Sequence, residues 1–373
     1  MGERHILFVE DDPGIIDLME MAVGRWNAEK PDREFRLEIC ETADDARGRL
    51  ERVRYDFALF DLRLPDKAKG KSTEPRGNEL AVTALDTCGI PVAIMSGNPN
   101  DLDQRLRKSK MVQVFNKGDK SAYDDAVGWF STFWEMAGVV AAARKRIRKA
   151  SAEIFAGRLW PHWKDFAGLD LETGDGPSLT DIVTRQYAGH VAEMLGNDGP
   201  DAIKWHPFET YVMPSLWDHR AHTGDIFEFD NDLWIVLTPA CDMANGNVSR
   251  VLLARCLRGE QDWEGQIAKL SVDATAEKAG KYFRKLTNQQ QPPGISKHFL
   301  SPLPGTSEPL LVDFADIDTR PFIELAASLG NRKASLAAPF LQNLTQRFGT
   351  YASRVGQPDI DVMFYKPKPN AGS

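Results

Sequence analysis

Short apolar runs alternate with helical patterns through the first third of the chain, and this alternation limits the possible folds. The runs lie at His5–Val9, Arg36–Cys40, Tyr55–Phe60, Pro91–Met95 and Met111–Phe115. Helical periodicity fills the intervals near 13–26, 43–52, 77–87 and 100–109. Because parallel strands need crossover connections, residues 1–124 are predicted to form an α/β domain with a doubly wound, five-stranded parallel sheet.

Polar residues follow four of these runs at the point where each predicted strand ends, namely Glu10, Asp11 and Asp12, then Asp61, Ser96 and Lys117. Ligands of such sheets bind at the carboxyl ends of the strands. The sequence therefore predicts one cleft that holds carboxylates, a hydroxyl and an ammonium group. A purely local interpretation is also open, in which Asp11 or Asp12 before Pro13 caps a helix and the others are loop residues.

The residue types in this cleft suit phosphoryl chemistry. Asp11 and Asp61 are natural direct ligands for Mg²⁺, with Glu10 close by through water. A carboxylate can attack phosphorus and form an acyl phosphate. Lys117 supplies a compact positive charge for the phosphate or for Asp61, and the Ser96 hydroxyl can turn toward new phosphate oxygens.

The segments ILFVEDDP, FALFDLRLPD, VAIMSG and VFNKGD resemble the four signature segments of response-regulator receiver domains. The resemblance covers about a third of the chain and implies a flavodoxin-like fold. It also implies that Asp61 accepts phosphate from a histidine kinase or phosphotransfer protein. The supporting residues that it implies are Glu10 and Asp11 as the acidic pair, the backbone carbonyl of Arg63 as a Mg²⁺ ligand, Ser96 as the switch residue and Lys117 as the lysine.

Three features depart from the family pattern. The segment between Pro65 and Gly77 is several residues longer than the usual loop. Val114 stands where the family often has an aromatic switch residue, and Gly118 stands where a proline usually follows the lysine. These departures concern the coupling of the site to an output surface rather than phosphorylation itself.

Residues 120–158 are predicted to form one long helix, and 125–158 to link the receiver to the rest of the chain. Its apolar residues recur at alternating spacings of three and four, which is typical of a coiled-coil seam: Ala126, Trp129, Phe133, Met136, Val140, Ala143, Ile147, Ala150 and Ile154. We favour a homodimer through residues 126–154. The other interpretation is that the stripe packs against the C-terminal domain of the same chain. The basic segment Arg144–Lys149 is interpreted as a solvated face.

Residues 159–365 are predicted to form a mixed α/β domain of unrecognised fold, followed by a disordered tail at 366–373. Strands are predicted at Asp225–Phe229, Leu233–Leu237, Val248–Cys256 and Leu310–Phe314, with turns at 173–177, 230–231 and 245–246. Two late helices are predicted near 320–329 and 333–353.

The segment HTGDIFEFDNDLWIVLTPACDM is the most distinctive part of this region. It weakly resembles a strand–turn–strand element ending in Thr-Pro-x-Cys-Asp in poorly characterised bacterial proteins, some associated with mobile elements or antiviral defence. Cys241 and Asp242 are candidate catalytic residues, and Cys241 is also a candidate zinc ligand with the upstream histidines 206, 219 and 222. The favoured interpretation is plainer: Cys241 is a small buried residue at a strand end and Asp242 caps a turn.

The composition favours a soluble cytoplasmic protein. The net charge of −8 and pI of about 5.5 argue against a large nucleic-acid footprint. The opening MGERHILFVEDD has the pattern of neither a signal peptide nor a membrane anchor. Four cysteines without a CxxC pair fit a reducing compartment and predict no disulfide framework.

The functional prediction is a response regulator whose phosphorylation on Asp61, with Mg²⁺, switches dimerisation or the C-terminal output domain. One alternative is a phosphate sink or buffer protein whose C-terminal region docks partners. Its phosphorelay could be an antiviral one. A second alternative is a C-terminal Cys/His enzyme controlled by the receiver. No recognised enzymatic motif in the C-terminal region decides between them.

Overall fold

The computed structural model describes residues 2–65, 76–168, 178–196, 205–215, 217–259, 263–287 and 295–354, with Asp359, Asp361 and Met363. The chain divides into two compact units, Met1–Ala202 and Ile203–Ser373. The predicted turn at 173–177, the tail at 366–373 and most of the long loop after Pro65 lie outside the described residues. No helix within the described ranges is both long enough and apolar enough to cross a bilayer.

The first unit contains a five-stranded sheet. Its strands are β1 Gly2–Val9, β2 Arg33–Cys40, β3 Phe57–Asp61, β4 Val92–Ser96 and β5 Val112–Asn116. They pair in the order β2-β1-β3-β4-β5, and every pairing is parallel. This is the flavodoxin-like order of doubly wound sheets. The predicted fold of the first third is therefore confirmed.

Helices cover both faces of this sheet: α1 Pro13–Glu29, α2 Ala43–Arg52, α3 Gly77–Thr83 with a π-helical turn Ala84–Cys88, α4 Gln104–Lys108 and α5 Ala122–Thr132. Successive strand residues point to opposite faces. Phe60 accordingly belongs to one apolar core, whereas Phe57 and Leu59 belong to the other. The long α1 begins where the side chain of Asp12 accepts a hydrogen bond from the Gly14 amide at 2.8 Å.

The predicted long helix is interrupted. Helix α5 ends at Thr132, because Phe133 has a φ of −99° and a ψ of 6°, which are not helical, and α6 then runs from Trp134 to Ile154. Phe130 and Trp134 are buried in the core of the sheet, so the first part of the predicted seam belongs to the receiver fold itself. The helix breaks at Phe133, and Phe130 and Trp134 on either side of the break are both buried against the sheet.

Helix α6 continues into a π-helical turn and three further short or medium helices: Phe155–Leu159 (π), Trp160–His162 (3₁₀), α7 Trp163–Ala167 and α8 Leu179–Gly196. Beside α6 lies a groove of about 480 Å³. Met136, Val140 and Ile147 line one wall of this groove, and residues just before β3 and β4 line the other. The later half of the apolar stripe therefore faces the amino end of the receiver sheet.

The second unit is built on a seven-stranded antiparallel sheet. Its strands are β6 Tyr211–Val212, β7 Asp225–Phe229, β8 Asp232–Val236, β9 Arg250–Arg258, β10 Lys297–Leu300, β11 Leu310–Pro321 and β12 Arg332–Leu336. They pair in the order β10-β11-β9-β8-β7-β12-β6. The helices are α9 Ala240–Asn245, α10 Trp263–Leu270, α11 Asp273–Thr287, α12 Phe322–Ala327 and α13 Ala338–Ala352. The predicted mixed α/β class is confirmed.

The two edge strands of this sheet, β6 and β10, approach each other. The Thr210 hydroxyl, just before β6, donates a hydrogen bond to the Ser301 hydroxyl, just after β10, at 3.0 Å. The Tyr211 hydroxyl donates to the Ser301 carbonyl. The sheet is therefore curled toward closure rather than open and flat.

Two predictions for this region need correction. The helix predicted near 333–353 does not begin at residue 333, because residues 333–336 belong to β12, which pairs with both β7 and β6. Helix α13 begins only at Ala338, with Pro339 in its first turn. Strand β11 runs to Pro321, well past the predicted end at Phe314, because an irregularity between Asp313 and Ile317 resets its pairing with β9.

Candidate functional site

Strand register brings the predicted site residues together. Val9 pairs with Phe60, so Glu10 and Asp61 lie side by side at the carboxyl ends of β1 and β3. Ser96 pairs with Asn116 in the same way, which places Lys117 beside the end of β4. Glu10 is only 1% exposed, and Asp61 and Ser96 are also buried. Asp12 caps α1, as the local alternative has it, whereas Lys117 contacts both Glu10 and Asp61 at the carboxyl ends of the strands.

The ammonium of Lys117 lies between two carboxylates. Its Nζ is 2.7 Å from Oε2 of Glu10 and 2.9 Å from Oδ2 of Asp61. Burial raises the pKa of Glu10, and the charge of Asp61 adds to this, against the lowering effect of Lys117. Burial alone would lower the pKa of Lys117, but its hydrogen bond to Glu10 and the two negative charges raise it. Lys117 is therefore held in its charged form.

Three carboxylates form a group that fits a divalent cation. Glu10, Asp11 and Asp61 each offer an oxygen, and these oxygens lie within 4.8 Å of one another. Across the described part of the chain, no other group of three or more His, Cys, Asp or Glu side chains meets this spacing. Hard oxygen ligands with one exposed side, here at Asp11, suit Mg²⁺, which binds few carboxylates and keeps several waters.

A hydrogen-bond chain links the loops that follow β3 and β4. The guanidinium of Arg63 donates to Asp101 Oδ2 at 2.6 Å, and the amide side chain of Asn98 donates to Asp101 Oδ1 at 3.1 Å. The backbone N–H of Asn98 in turn donates to the hydroxyl oxygen of Ser96 at 3.0 Å. Sequence reasoning missed Asn98 and Asp101, because neither lies at a strand end. The metal-binding role of the Arg63 carbonyl remains a prediction.

Gly77 is a third residue that the sequence did not reveal. A Cβ at this position would lie 2.1 Å from the carbonyl oxygen of Asp61 and 2.8 Å from Cα of Leu62. The Gly77 N–H also donates to the Leu62 carbonyl at 3.0 Å. Helix α3 therefore starts against the backbone of the predicted phosphate acceptor, and only glycine allows this approach.

The C-terminal candidates are arranged differently from the prediction. Cys241 is exposed in the first turn of α9, so the expectation of a buried residue at a strand end is wrong. Its Sγ is 3.7 Å from Oδ1 of Asp242. Among the described residues, no group of three potential ligands contains Cys241 or any of the upstream histidines. The predicted zinc centre is therefore not assembled in this part of the chain, and a catalytic role for Cys241 and Asp242 remains a prediction.

No protein-family model matches the sequence, and the comparison with curated proteins finds no match. Solved structures match the N-terminal third. The phosphorylated cyanobacterial phytochrome response regulator RcpA is 22% identical, with 35% of this chain and 94% of that chain covered and a TM-score of 0.27. The receiver domain of a sensor histidine kinase from Pseudomonas aeruginosa, with magnesium in its active site cleft, is 22% identical, with 35% and 97% covered and a TM-score of 0.25.

A de novo designed Rossmann 2x3 protein matches to a similar degree, at 19% identity, with 34% of this chain and 89% of that chain covered and a TM-score of 0.26. Likeness at this level describes a fold and does not assign an activity. The N-terminal third is a five-stranded parallel sheet in the order β2-β1-β3-β4-β5. Any function must be inferred from the residues at the carboxyl end of that sheet.

Proposed function

We propose that this chain is a response regulator of a two-component phosphorelay, with Asp61 as the phosphate acceptor and Mg²⁺ as the cofactor. The observation that carries the proposal is the Lys117 ammonium between Glu10 and Asp61, beside a group of three carboxylate oxygens. A histidine kinase or phosphotransfer protein is the proposed phosphodonor, and the cytoplasm is the proposed location.

In the proposed reaction an Oδ atom of Asp61 attacks the phosphorus of the donor, and an O–P bond forms as the bond to the donor's leaving group breaks. The leaving group departs with the bonding electron pair and takes up a proton from water. Glu10, Asp11 and Asp61 would hold Mg²⁺, which neutralises charge on the phosphoryl oxygens when bound. Nζ of Lys117 lies 2.9 Å from Oδ2 of Asp61. Lys117 would therefore exchange this contact for one with an oxygen of a phosphoryl group bound to Asp61.

Ser96 connects this chemistry to the neighbouring loop. Its hydroxyl oxygen accepts the backbone N–H of Asn98, which belongs to the chain through Asp101 to Arg63. If the Ser96 hydroxyl turned toward a new phosphoryl group, it would lose the hydrogen bond from the Asn98 N–H, and the loop after β4 would be free to move. The proposed switch is thus a rearrangement of two loops by one new charge.

The test is intact-mass spectrometry of the full chain after incubation with Mg²⁺ and acetyl phosphate. We expect a single phosphoryl adduct on the wild type, none on Asp61→Asn, and none when the metal is chelated. Asp119→Asn is the matched control, because Asp119 is exposed and lies outside the carboxylate group. An equal adduct on Asp61→Asn, or none on the wild type with any donor, would overturn the proposal.

We also propose that a linker at 125–158 passes the state of the receiver at 1–124 to the output region at 159–365 through dimerisation. Helix α6 supports this because Met136 and Ile147, two residues of the apolar stripe, are each 46% exposed. Light scattering with and without phosphorylation tests the proposal. Ile147→Glu should abolish any phosphorylation-dependent dimer, whereas Ala142→Glu, on an exposed position outside the stripe, should not. A monomer in every state would exclude dimerisation.

A further inference from the structure

The second unit contains a cavity of about 410 Å³ at the place where its sheet curls toward closure. Described residues around it include Trp205, Thr210, His298, Ser301, Phe340 and Asn343. The cavity thus lies between the meeting edges of β6 and β10 and the first turns of α13. Cavities of about 300–1,000 Å³ at the mouths of curled or closed sheets are common small-molecule sites.

One wall of the cavity is aromatic. The rings of Trp205 and Phe340 meet edge to face, with centroids 5.9 Å apart and an interplanar angle of 87°. Trp205 is 42% exposed, although a large ring of this kind gains free energy when it is covered. The exposed face of Trp205 is a platform on which another planar ring can stack.

One buried polar atom beside this cavity lacks a partner. Nδ1 of His298 is buried and has no hydrogen-bond partner among the described residues. The Asn343 carboxamide and the Trp205 indole N–H also border this cavity, and both side chains are exposed, so they are open to water or to a ligand. Native proteins pair nearly all of their buried polar groups. The unpartnered Nδ1 of His298, beside the exposed Asn343 carboxamide and Trp205 indole N–H, therefore indicates a ligand that can form hydrogen bonds to this wall of the cavity.

The charge around the cavity restricts the ligand further. Among the described residues that line it, His298 alone has an ionisable side chain. Burial, helped by the charge of Arg347, lowers the pKa of His298 to about 3, so the imidazole is neutral. Among the described lining residues a phosphate or carboxylate would find no positive charge, and its desolvation would be unfavourable. An uncharged ligand is favoured.

We propose that this cavity binds an uncharged planar heterocycle of the nucleobase class, stacked on Trp205 and hydrogen-bonded at its edge by Asn343 and His298. The base can belong to a free nucleoside or to an unpaired position in RNA, since both present the same ring. This site is separate in chemistry from the carboxylate cleft. It does not depend on the proposed phosphorylation, and Asp61→Asn should bind the ligand like the wild type.

The first experiment is isothermal titration calorimetry of the full chain with adenosine, guanosine, cytidine and uridine in turn, and with a mixed-sequence single-stranded oligoribonucleotide. We expect binding of at least one nucleoside, which identifies the free small molecule as ligand. Binding of the oligoribonucleotide alone, if Trp205→Ala removes it, identifies an unpaired base instead.

Variants then tie the binding to the cavity. Trp205→Ala and Asn343→Leu should each weaken binding about tenfold or more, which corresponds to about 1.4 kcal/mol. Trp217→Ala is the matched control: Trp217 is 40% exposed, lies in the same unit and is not among the residues that line the cavity. The proposal fails if neither kind of probe binds at about millimolar concentration, or if Trp205→Ala and Asn343→Leu bind like the control.

Discussion

Asp225, at the start of β7, is a buried charge whose partners come from distant parts of the second unit. Its carboxylate is 0% exposed and accepts hydrogen bonds from Arg332 Nη1 at 2.9 Å, from the His222 amide at 2.8 Å and from the Ser335 hydroxyl. Arg332 is itself only 8% exposed. Removing one member of such a pair leaves an uncompensated charge in a low-dielectric interior.

We therefore expect Arg332→Met to lower the free energy of unfolding by about 3–5 kcal/mol, measured by urea denaturation at neutral pH. Lys333→Met is the matched control, because the neighbouring Lys333 pairs with Glu228 at the surface. Such exposed pairs contribute about 0–1 kcal/mol. Equal losses in the two variants would contradict the assignment of Asp225 and Arg332 as a buried structural pair.

At Gly77 a single methyl group would test the packing behind the phosphate acceptor. An added Cβ at Gly77 would overlap the carbonyl oxygen of Asp61. Side-chain rotation cannot relieve this overlap, because the oxygen belongs to the backbone and the Cβ is bonded directly to it. Gly77→Ala should lower the stability of the first unit by about 1–3 kcal/mol and slow the formation of the phosphoryl adduct. Thermal unfolding and adduct mass measure the two effects.

Gly48→Ala provides the comparison, since a Cβ there meets nothing within 4 Å and Gly48 lies inside α2. Alanine is favoured over glycine in a helix interior by about 0.5–1 kcal/mol, so this variant should be more stable than the wild type. If both variants shift the stability in the same direction, the close approach of α3 to the Asp61 backbone does not require glycine at position 77.

The residues of the carboxylate cleft could be predicted from the sequence because they occupy strand ends. In a parallel sheet that position alone places Glu10, Asp61 and Lys117 in one cleft. Gly77 and Asp101 could not be predicted in this way. Their roles arise from how two loops approach each other, and no periodicity or local motif encodes that approach.

At the scale of elements, Arg144 fastens α6 to the receiver. Its Nη2 donates to the carbonyls of Cys88 at 2.7 Å and Gly89 at 3.2 Å, where the π-helical turn after α3 ends. Carbonyls at a helix end have no partner within the helix, so the guanidinium completes the end of this element. The same contact holds the middle of α6 against the amino end of the sheet.

Arg144→Met should therefore loosen α6 locally while the rest of the receiver keeps its stability. We expect the free energy of local opening to fall by about 0.5–1.5 kcal/mol per lost hydrogen bond, seen as faster amide exchange in peptides from α6 and from residues 84–89. Lys149→Met is the control, because Lys149 is exposed and its ammonium pairs with Glu153 one turn further along the same helix. Unchanged exchange in Arg144→Met would mean that the contact does not hold α6.

Element prediction succeeded where the pattern is local and failed where partners are distant. All five parallel strands were found from runs bounded by helical stretches, since each β–α unit repeats the same signal. The break at Phe133 was missed, because Phe130 and Trp134 are drawn into the sheet core by tertiary packing. Strand β12 was missed as well, since its ladder joins Leu336 to Tyr211 far away in the sequence.

At the scale of the whole molecule, the two units differ in how much of their fold local sequence can specify. The first consists of successive crossover units, so neighbours in sequence are mostly neighbours in space. The second curls an antiparallel sheet until Thr210 reaches Ser301, and such long-range closure leaves little local trace. The cleft of the first unit could therefore be predicted, whereas the cavity of the second required the structure.

The buried imidazole of His298 makes the stability of the second unit depend on pH in a defined direction. Burial and the charge of Arg347 lower its pKa from 6.5 to about 3. Above pH 6.5 the group is neutral in both states and contributes nothing to the pH dependence. Below that value the unfolded chain binds a proton that the folded chain excludes. Stability must therefore fall with acidification until the pH nears the folded pKa, by up to about 1.4 kcal/mol per pH unit.

His298→Gln removes this titration, so its stability should fall less steeply than that of the wild type between pH 6.5 and about 4. Amide protection factors in peptides from β10 and β11, corrected for the intrinsic pH dependence of exchange, measure the effect within the second unit. His206→Gln replaces an exposed histidine of the same unit and should follow the wild type. The proposed uncharged ligand also relies on a neutral His298. If the stability of all three proteins fell equally with acidification, His298 would not have a lowered pKa, and its neutrality would no longer support an uncharged ligand.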